Sequence, residues 1–134
     1  MYKEFHYSTQ ILEHHLDAFG HVNNAKYFEL YEEARWDFIT SFGYGLKEVM
    51  KHKQGPVILD TTCRFKKEIV NRERISINSQ TVGKPGKIMK IDQKIIKEDG
   101  SVASEASFTI GFMDLKLRKL VDPPEIWLKA IGVI

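Results

Sequence analysis

Apolar and polar positions follow regular spacings along the first third of the chain, and these spacings predict two elements. Residues 3–12 alternate, which places Phe5, Tyr7, Thr9 and Ile11 on one side and predicts a first strand. From residue 24 to 42 the apolar positions recur every three or four residues, namely Tyr27, Tyr31, Ala34, Phe38 and Phe42. This wide apolar stripe predicts a helix packed against a sheet, ended by Gly43 and Gly45.

The second half of the chain predicts strands separated by turns. Alternation indicates strands over 57–69, 74–82, 88–97 and 102–113. In the first of these, one face should carry Val57, Leu59, Thr61, Cys63 and Phe65. The sequence GKPGK at 83–87 and the pair Asp99-Gly100 are typical of hairpin turns. Asp122, followed by two prolines, predicts the start of a short last helix.

Length, charge and cysteine content restrict the classes of protein to consider. The 134 residues suit one domain, 1–134, with a single core. A formal charge of +2 is too small to indicate nucleic acid as a partner, and it is compatible with an anionic ligand. No run approaches the roughly 18 apolar residues that cross a bilayer, so we expect no membrane partner. The single cysteine, Cys63, excludes an internal disulfide, and with the polar N-terminus it predicts a cytoplasmic protein.

The candidate chemistry lies in HHLDAFGHVNNAKYFELYEEAR, residues 14–35. Asn23 and Asn24 are good cap residues, so the long helix should begin there, shortly after Asp17. A helix start leaves backbone N–H groups without partners, and those of Asn24 and Ala25 would stabilise a developing oxyanion. Asp17 would supply a base or a nucleophile beside them. The local sequence alone favours an aspartate that only stabilises the helix dipole or makes a turn.

Four residues of this segment, His14, His15, Asp17 and His21, are of types that bind metals. Their spacing matches no closed metal-binding motif, so we expect no metal. Cys63 falls on the apolar face of its strand, and we expect it to be packed in the core rather than nucleophilic.

The motif D-x-x-G-H-V-N-N-x-x-Y-F-x-x-x-E-E-A-R, which runs from Asp17 to Arg35, resembles the hotdog-fold acyl-CoA thioesterases of the 4-hydroxybenzoyl-CoA thioesterase type. The segment DGSVASEASFTIGFMDLKLRKLVDPPEIW resembles the last strand pair and tail of that family. The resemblance implies an α+β hotdog fold, in which a five-stranded antiparallel sheet wraps around a central helix. It also implies a homodimer or dimer of dimers with the ligand groove at the subunit interface.

The resemblance further implies hydrolysis of an acyl-CoA to a free acid and coenzyme A, with no cofactor besides the coenzyme A of the substrate. The catalytic carboxylate of the family falls on Asp17, either as nucleophile or as general base. Some hotdog thioesterases use a carboxylate within the central helix, and Glu32 is the rival at that position. Among the residues expected near the substrate, His21 would shape the loop or touch substrate, and Asn23 would lie at the helix start, where it could serve only as a cap. Tyr27 would line an acyl pocket, although the same stripe is what any core helix shows. The coenzyme A phosphates would meet basic residues on strand ends and hairpins, chiefly Arg64, Lys66, Lys67 and Lys87, with Lys84 and Lys90 nearby.

Three alternatives stay open from the sequence. The thioester substrate could be carried by acyl carrier protein instead of coenzyme A. The domain could be a non-catalytic module that binds acyl-CoA, although there is no room in 134 residues for an added DNA-binding domain. A hotdog dehydratase is the third, but its histidine and acidic pair is not evident around the predicted helix.

Overall fold

The computed structural model describes residues 2–134, and its order of elements follows the alternation in the sequence. Strand β1 (Glu4–Gln10) leads through a 3-10 turn (Glu13–His15) to α1 (Asn24–Ser41) and then α2 (Leu46–His52). Strands β2 (Gln54–Phe65), β3 (Arg74–Val82), β4 (Ile88–Lys97) and β5 (Val102–Asp114) follow. The chain continues with a two-residue strand, β6 (Lys119–Leu120), and a last helix, α3 (Glu125–Ala130).

The strands form one antiparallel sheet in the order β1-β3-β4-β5-β2, with β6 paired to the end of β5. Its inner face wraps around α1. The stripe predicted for the helix is buried there except for Phe42, which is half-buried and follows the last residue of α1. Phe38 stacks on Phe5 of β1 with ring centroids 4.3 Å apart. Tyr31 donates a hydrogen bond from its hydroxyl to Ser104 Oγ on β5 at 2.6 Å. This arrangement is the α+β hotdog architecture that the family resemblance implied.

Strand β2 differs from its prediction in bounds and in register. It runs from Gln54 to Phe65 rather than over 57–69, and its pairing with β5 shifts between Ile58 and Asp60. Because one extra residue in a strand turns the following side chains to the other face, Val57 and Leu59 do not share a face with Cys63. Ile58, paired to buried Ile110, takes the inner position instead.

Two elements had no counterpart in the predictions. The segment after Gly45 forms α2, a two-turn helix that packs Val49 against the backbone of Gly55. Strand β6 adds a short pairing with Met113 and Asp114. No helix within residues 2–134 is long and apolar enough to cross a bilayer.

Candidate active site

Asp17 lies in a tight loop between the 3-10 turn and α1, and backbone hydrogen bonds fix its position. Its N–H donates to the carbonyl of His21 at 2.9 Å, and the N–H of Gly20 donates back to the Asp17 carbonyl at 3.1 Å. Gly20 adopts a φ of 80°, a left-handed conformation that glycine takes without strain. The loop therefore holds Asp17 in one orientation directly before the helix.

The Asp17 carboxylate is only partly engaged by the protein. Oδ1 accepts the N–H of Phe19 at 2.9 Å and, more weakly, the N–H of His21 at 3.4 Å. Oδ2 accepts no hydrogen bond from any residue of the described range 2–134. The side chain is half-buried and faces a cavity of about 320 Å³, so one carboxylate oxygen is oriented by the loop and the other can reach a bound molecule.

Helix α1 begins where the cap residues predicted it. Asn23 is the N-cap residue, and its Oδ1 accepts the N–H of Ala25 at 2.8 Å. The Ala25 N–H is therefore occupied by the cap, which corrects the expectation that Asn24 and Ala25 both present free amides. Asn24, which lines the same cavity as Asp17, offers the backbone N–H of this pair that the cap does not use.

The cavity brings together most of the residues predicted to bind substrate. Its lining includes Asp17, His21, Asn24, Tyr27, Lys66 and Lys67, and it also includes Val22, Phe65 and Glu68. Tyr27 forms a buried wall and contacts Phe65 edge-on, with centroids 4.9 Å apart. Burial raises the pKa of Tyr27, so it is a neutral phenol around pH 7.

Two lysines that follow β2, Lys66 and Lys67, also line the cavity. The backbone N–H groups of Lys66 and Lys67 both donate to the carbonyl of Ala103, at 2.8 and 3.1 Å. Lys66 Nζ lies 3.0 Å from Glu105 Oε1, and this contact lowers the pKa of Glu105. Lys67 lies within 4.0 Å of no carboxylate oxygen in residues 2–134, although its charge helps to lower the pKa of Asp99, so its ammonium group is available to an anionic ligand.

Other predicted binding residues lie elsewhere. Arg64 lies beside Thr62 and Asp92 at a separate cavity, on the outer face of the sheet. The backbone carbonyl of Lys87 accepts the N–H of Phe112 at the far end of β5. Phe112 is nine residues from Ala103, roughly 30 Å along an extended strand, so Lys87 cannot meet the phosphates beside Lys66 and Lys67 in one subunit.

The rival carboxylate, Glu32, is also outside the Asp17 cavity. It is exposed on α1, eight residues or about 12 Å along the helix axis from Asn24, and lines a small crevice with Trp36 and Pro56. Its helical neighbour Arg35 is buried and donates to Gln93 Oε1 at 3.0 Å instead of pairing with Glu32. The guanidinium also lies 4.1 Å over the ring of Phe108.

The histidines of the motif segment have structural partners. His21 Nε2 lies 2.9 Å from Glu68 Oε2, and His15 Nδ1 accepts the N–H of Leu12 at 2.9 Å. Within residues 2–134 no group of three histidine, cysteine or acidic side chains is arranged to hold a metal ion. Cys63 lies half-buried, 3.6 Å from Ser104 Oγ, and burial raises the pKa of its thiol.

Sequence reasoning missed Glu68 and Phe65 as parts of the site. Both omissions have the same cause, because β2 ends at Phe65 and the sequence predicted its end four residues later, at residue 69. The short polar run after Phe65 was the signal for a loop, and the aromatic residue before it was the signal for a cavity wall.

Comparisons with known proteins agree with this geometry. A family model described as "Thioesterase-like superfamily" matches residues 12–131. The long-chain acyl-CoA thioesterase FadM of Escherichia coli is 33% identical over 107 residues, which cover 79% of this chain and 80% of that protein. A chloroplastic acyl-acyl carrier protein thioesterase of Arabidopsis thaliana is 25% identical over 130 residues, covering 96% of this chain and 68% of that protein.

A solved structure is similar to the whole fold. A hypothetical protein from Staphylococcus aureus, determined in complex with CoA, superposes with a TM-score of 0.90 at 18% identity. The superposition covers 98% of this chain and 83% of that one. At this identity the likeness bears on the fold alone.

Proposed function

The chain belongs to the thioesterase-like superfamily, and from this membership we propose that it hydrolyses an acyl-CoA to a carboxylic acid and coenzyme A at the cavity beside Asp17. One observation carries the assignment of the site. A carboxylate oriented by its own loop and the amide of Asn24 at a helix start line the same cavity, together with two lysines.

Asp17 can act in two ways, and each gives the same products. As a general base, it takes a proton from water while the water oxygen attacks the thioester carbon; the tetrahedral intermediate then expels the thiolate, which is protonated. As a nucleophile, Asp17 attacks the carbon, expels the thiolate and forms an anhydride that water hydrolyses. In both routes the carbonyl oxygen gains negative charge, and the Asn24 N–H is the donor that we propose for it.

The surrounding residues would bind the substrate. Lys67 would bind the phosphates of coenzyme A. Lys66 would bind them as well, once it gives up its contact with Glu105. Tyr27 would line the path of the thioester, and Asn23 would act through the cap that fixes the first turn of α1. His21 would hold the Asp17 loop in place through Glu68.

The test is release of free thiol from a panel of acyl-CoAs, including long-chain ones, by the wild type and three variants. Asp17→Asn keeps the size of the side chain and the acceptor for Phe19, and we expect turnover to fall by about 100-fold or more. Glu32→Gln tests the rival position. Asp37→Asn, an exposed carboxylate elsewhere on α1, is the matched control. Full activity of Asp17→Asn would refute the proposed site.

Hydrolysis in H₂¹⁸O under single-turnover conditions tests the nucleophile route. Label in the Asp17 carboxylate requires that route, with water attacking the aspartyl carbon of the anhydride, whereas the general-base route and attack of water on the acyl carbon both leave the enzyme unlabelled. Mass spectrometry of the peptide that contains Asp17 reads the result.

A carrier-protein thioester is a second candidate substrate, because the Arabidopsis relative is named for that activity. Assay of the same acyl group on both carriers decides between them. Tight binding of acyl-CoA without turnover of either would instead support a non-catalytic module.

A cytoplasmic location is a further part of the proposal, since a chain with one cysteine needs no oxidising compartment.

We also propose that the chain forms a homodimer or a dimer of dimers through the edge of β2. This strand pairs only with β5 among the strands of residues 2–134, and its Ile58, Leu59 and Phe65 are 46–50% exposed. An exposed edge with apolar side chains favours pairing with a second copy. Light scattering should report an oligomer that Ile58→Glu weakens and Ile88→Glu, at 51% exposure on β4, does not. A monomeric wild type would contradict this.

A further inference from the structure

At the end of β5 opposite the Asp17 cavity, apolar and basic side chains are exposed together on α2 and on the turn between β5 and β6. The apolar members are Leu46, Met50, Leu115 and Leu117, with exposures of 65, 57, 36 and 62%. The basic members are Lys47, Lys51, Lys53, Lys116, Arg118 and Lys119, all exposed. We call this set the α2–turn patch.

Helix α2 places two of these apolar and two of these basic residues on one face. Its inner side carries Glu48, Val49 and His52, with Val49 against Gly55 and the His52 ring near Tyr44. At 100° per residue, the opposite face consists of residues 46, 47, 50 and 51. An outward face of a leucine, a methionine and two lysines is unusual for a helix that has only water beside it.

The turn continues the helix face. The N–H of Leu115 donates to the carbonyl of Lys53 at 2.8 Å, so the turn begins directly beside the end of α2. Asp114 Oδ1 accepts the N–H groups of Lys116 and Leu117 at 2.9 and 2.8 Å, and these bonds lower the pKa of Asp114. The turn is therefore fixed, and it presents Leu115 and Leu117 in a defined way.

Charge identifies the kind of occupant. Residues 46–53 and 114–120 contain six lysine and arginine residues and two acidic residues, a formal charge of +4 in a chain whose total is +2. The rest of the molecule is thus slightly negative, and the positive charge is concentrated around the exposed leucines. A second copy would bring +4 against +4, so the patch fits an anionic surface and disfavours itself.

We propose that the α2–turn patch binds the surface of membranes that contain anionic lipids. Lysine and arginine would meet the headgroups while the leucines and Met50 enter the boundary with the acyl chains, as in interfacial helices. The apolar residues project from a helix and a turn rather than lining a groove, which suits a lipid surface better than a folded partner. The proposal departs from the expectation of no membrane partner, which rested only on the lack of a spanning segment, because binding of this kind needs no spanning helix. It does not depend on the proposed hydrolysis.

The test is co-sedimentation of the full chain with vesicles of phosphatidylcholine, with and without phosphatidylglycerol. We expect the wild type to partition onto the anionic vesicles about tenfold or more above the neutral ones, and to release as salt is raised. Lys47→Glu with Lys51→Glu should lose this preference. Leu46→Ser with Leu117→Ser should weaken binding at equal charge.

The matched control carries the same change in charge away from the patch. Arg74→Glu with Lys94→Glu alters two exposed residues on β3 and β4 and should leave vesicle binding unchanged. Hydrolysis of a soluble short-chain acyl-CoA and the circular dichroism spectrum should match the wild type in every variant. Three results would overturn the proposal. They are wild-type partitioning that does not depend on anionic lipid, equal losses of binding in the patch and control variants, and binding only to an acidic protein.

Discussion

His21 Nε2 lies 2.9 Å from Glu68 Oε2, and this contact joins the loop that carries Asp17 to the segment that carries Lys66 and Lys67. The backbone reinforces the junction, because the N–H of Val22 donates to the carbonyl of Ile69 at 3.0 Å. Two segments that line the cavity and lie about 50 residues apart in sequence are therefore held together by these contacts.

Removing the Glu68 carboxylate should loosen the cavity without unfolding the protein. Exposed ion pairs contribute about 0–1 kcal/mol, so the free energy of unfolding of Glu68→Ala should stay within about 1 kcal/mol of the wild type. We expect kcat/KM for thioester hydrolysis to fall by about three- to tenfold, since a small displacement of a catalytic group is costly. Steady-state kinetics and urea unfolding measure the two effects.

Two variants check that the effect is specific. Glu68→Gln keeps an acceptor for His21 Nε2 and should retain most of the activity. Glu125→Ala removes an exposed carboxylate on α3 and should change nothing. Unaltered kcat/KM in Glu68→Ala would mean that the loop holds Asp17 without this contact.

The cap of α1 should contribute to stability and to the geometry of the site together. Asn23→Ala removes the acceptor of the Ala25 N–H, and loss of such a cap costs about 1 kcal/mol in the free energy of unfolding. Asn23→Asp keeps an acceptor and should be at least as stable, because a carboxylate also favours the helix dipole. Urea unfolding of both variants tests this. Equal stability of Asn23→Ala and the wild type would contradict the role of the cap.

The sequence predicted the elements that are set by periodicity. Helix α1 was found because Tyr27, Tyr31, Ala34 and Phe38 share one buried face, and its start was found because asparagine caps helices through local contacts. The resemblance to the hotdog family added the curled sheet, which no spacing within the chain specifies. Asp17 and Asn24 share a cavity because only six residues separate them.

Features that depend on distant pairing were missed or misplaced. The shift between Ile58 and Asp60 depends on the register with β5, which a single strand cannot reveal. Lys66, Lys67 and Lys87 look alike in the sequence, yet β5 separates the first two from the third by most of its length. Helix α2 was missed because a face of Leu46, Lys47, Met50 and Lys51 gives no clear apolar stripe.

Cys63 should be a poorly reactive thiol that the reaction does not use. It is half-buried beside Ser104 and its pKa is raised by burial, so little thiolate is present around pH 7. We expect slow modification by a thiol reagent in the native protein and rapid modification in denaturant. Cys63→Ser should keep thioester hydrolysis within about twofold of the wild type, and loss of activity in a folded Cys63→Ser would contradict this assignment.

His15 should make the protein less stable as pH falls below about 6.5. Burial lowers the pKa of His15, helped by the neighbouring His14 and by Lys26 and opposed by Glu33. The neutral ring accepts the N–H of Leu12, whereas the protonated ring cannot. Because the unfolded chain keeps the ordinary pKa near 6.5, it binds the proton first, and the contribution of His15 to stability is complete above that pH.

The contribution of His15 to the free energy of unfolding should then be lost as pH falls from the ordinary pKa of histidine, about 6.5, through the lowered pKa of His15 in the folded protein. Urea unfolding of the wild type at pH 7.5 and 5.5 should give a decrease in free energy that is smaller in His15→Gln, whose side chain does not titrate. His6→Gln, an exposed histidine on β1, is the matched control and should keep the decrease of the wild type. A decrease of the same size in His15→Gln would assign the pH dependence to other groups, since the buried ring would then not be the one that gains the proton on unfolding.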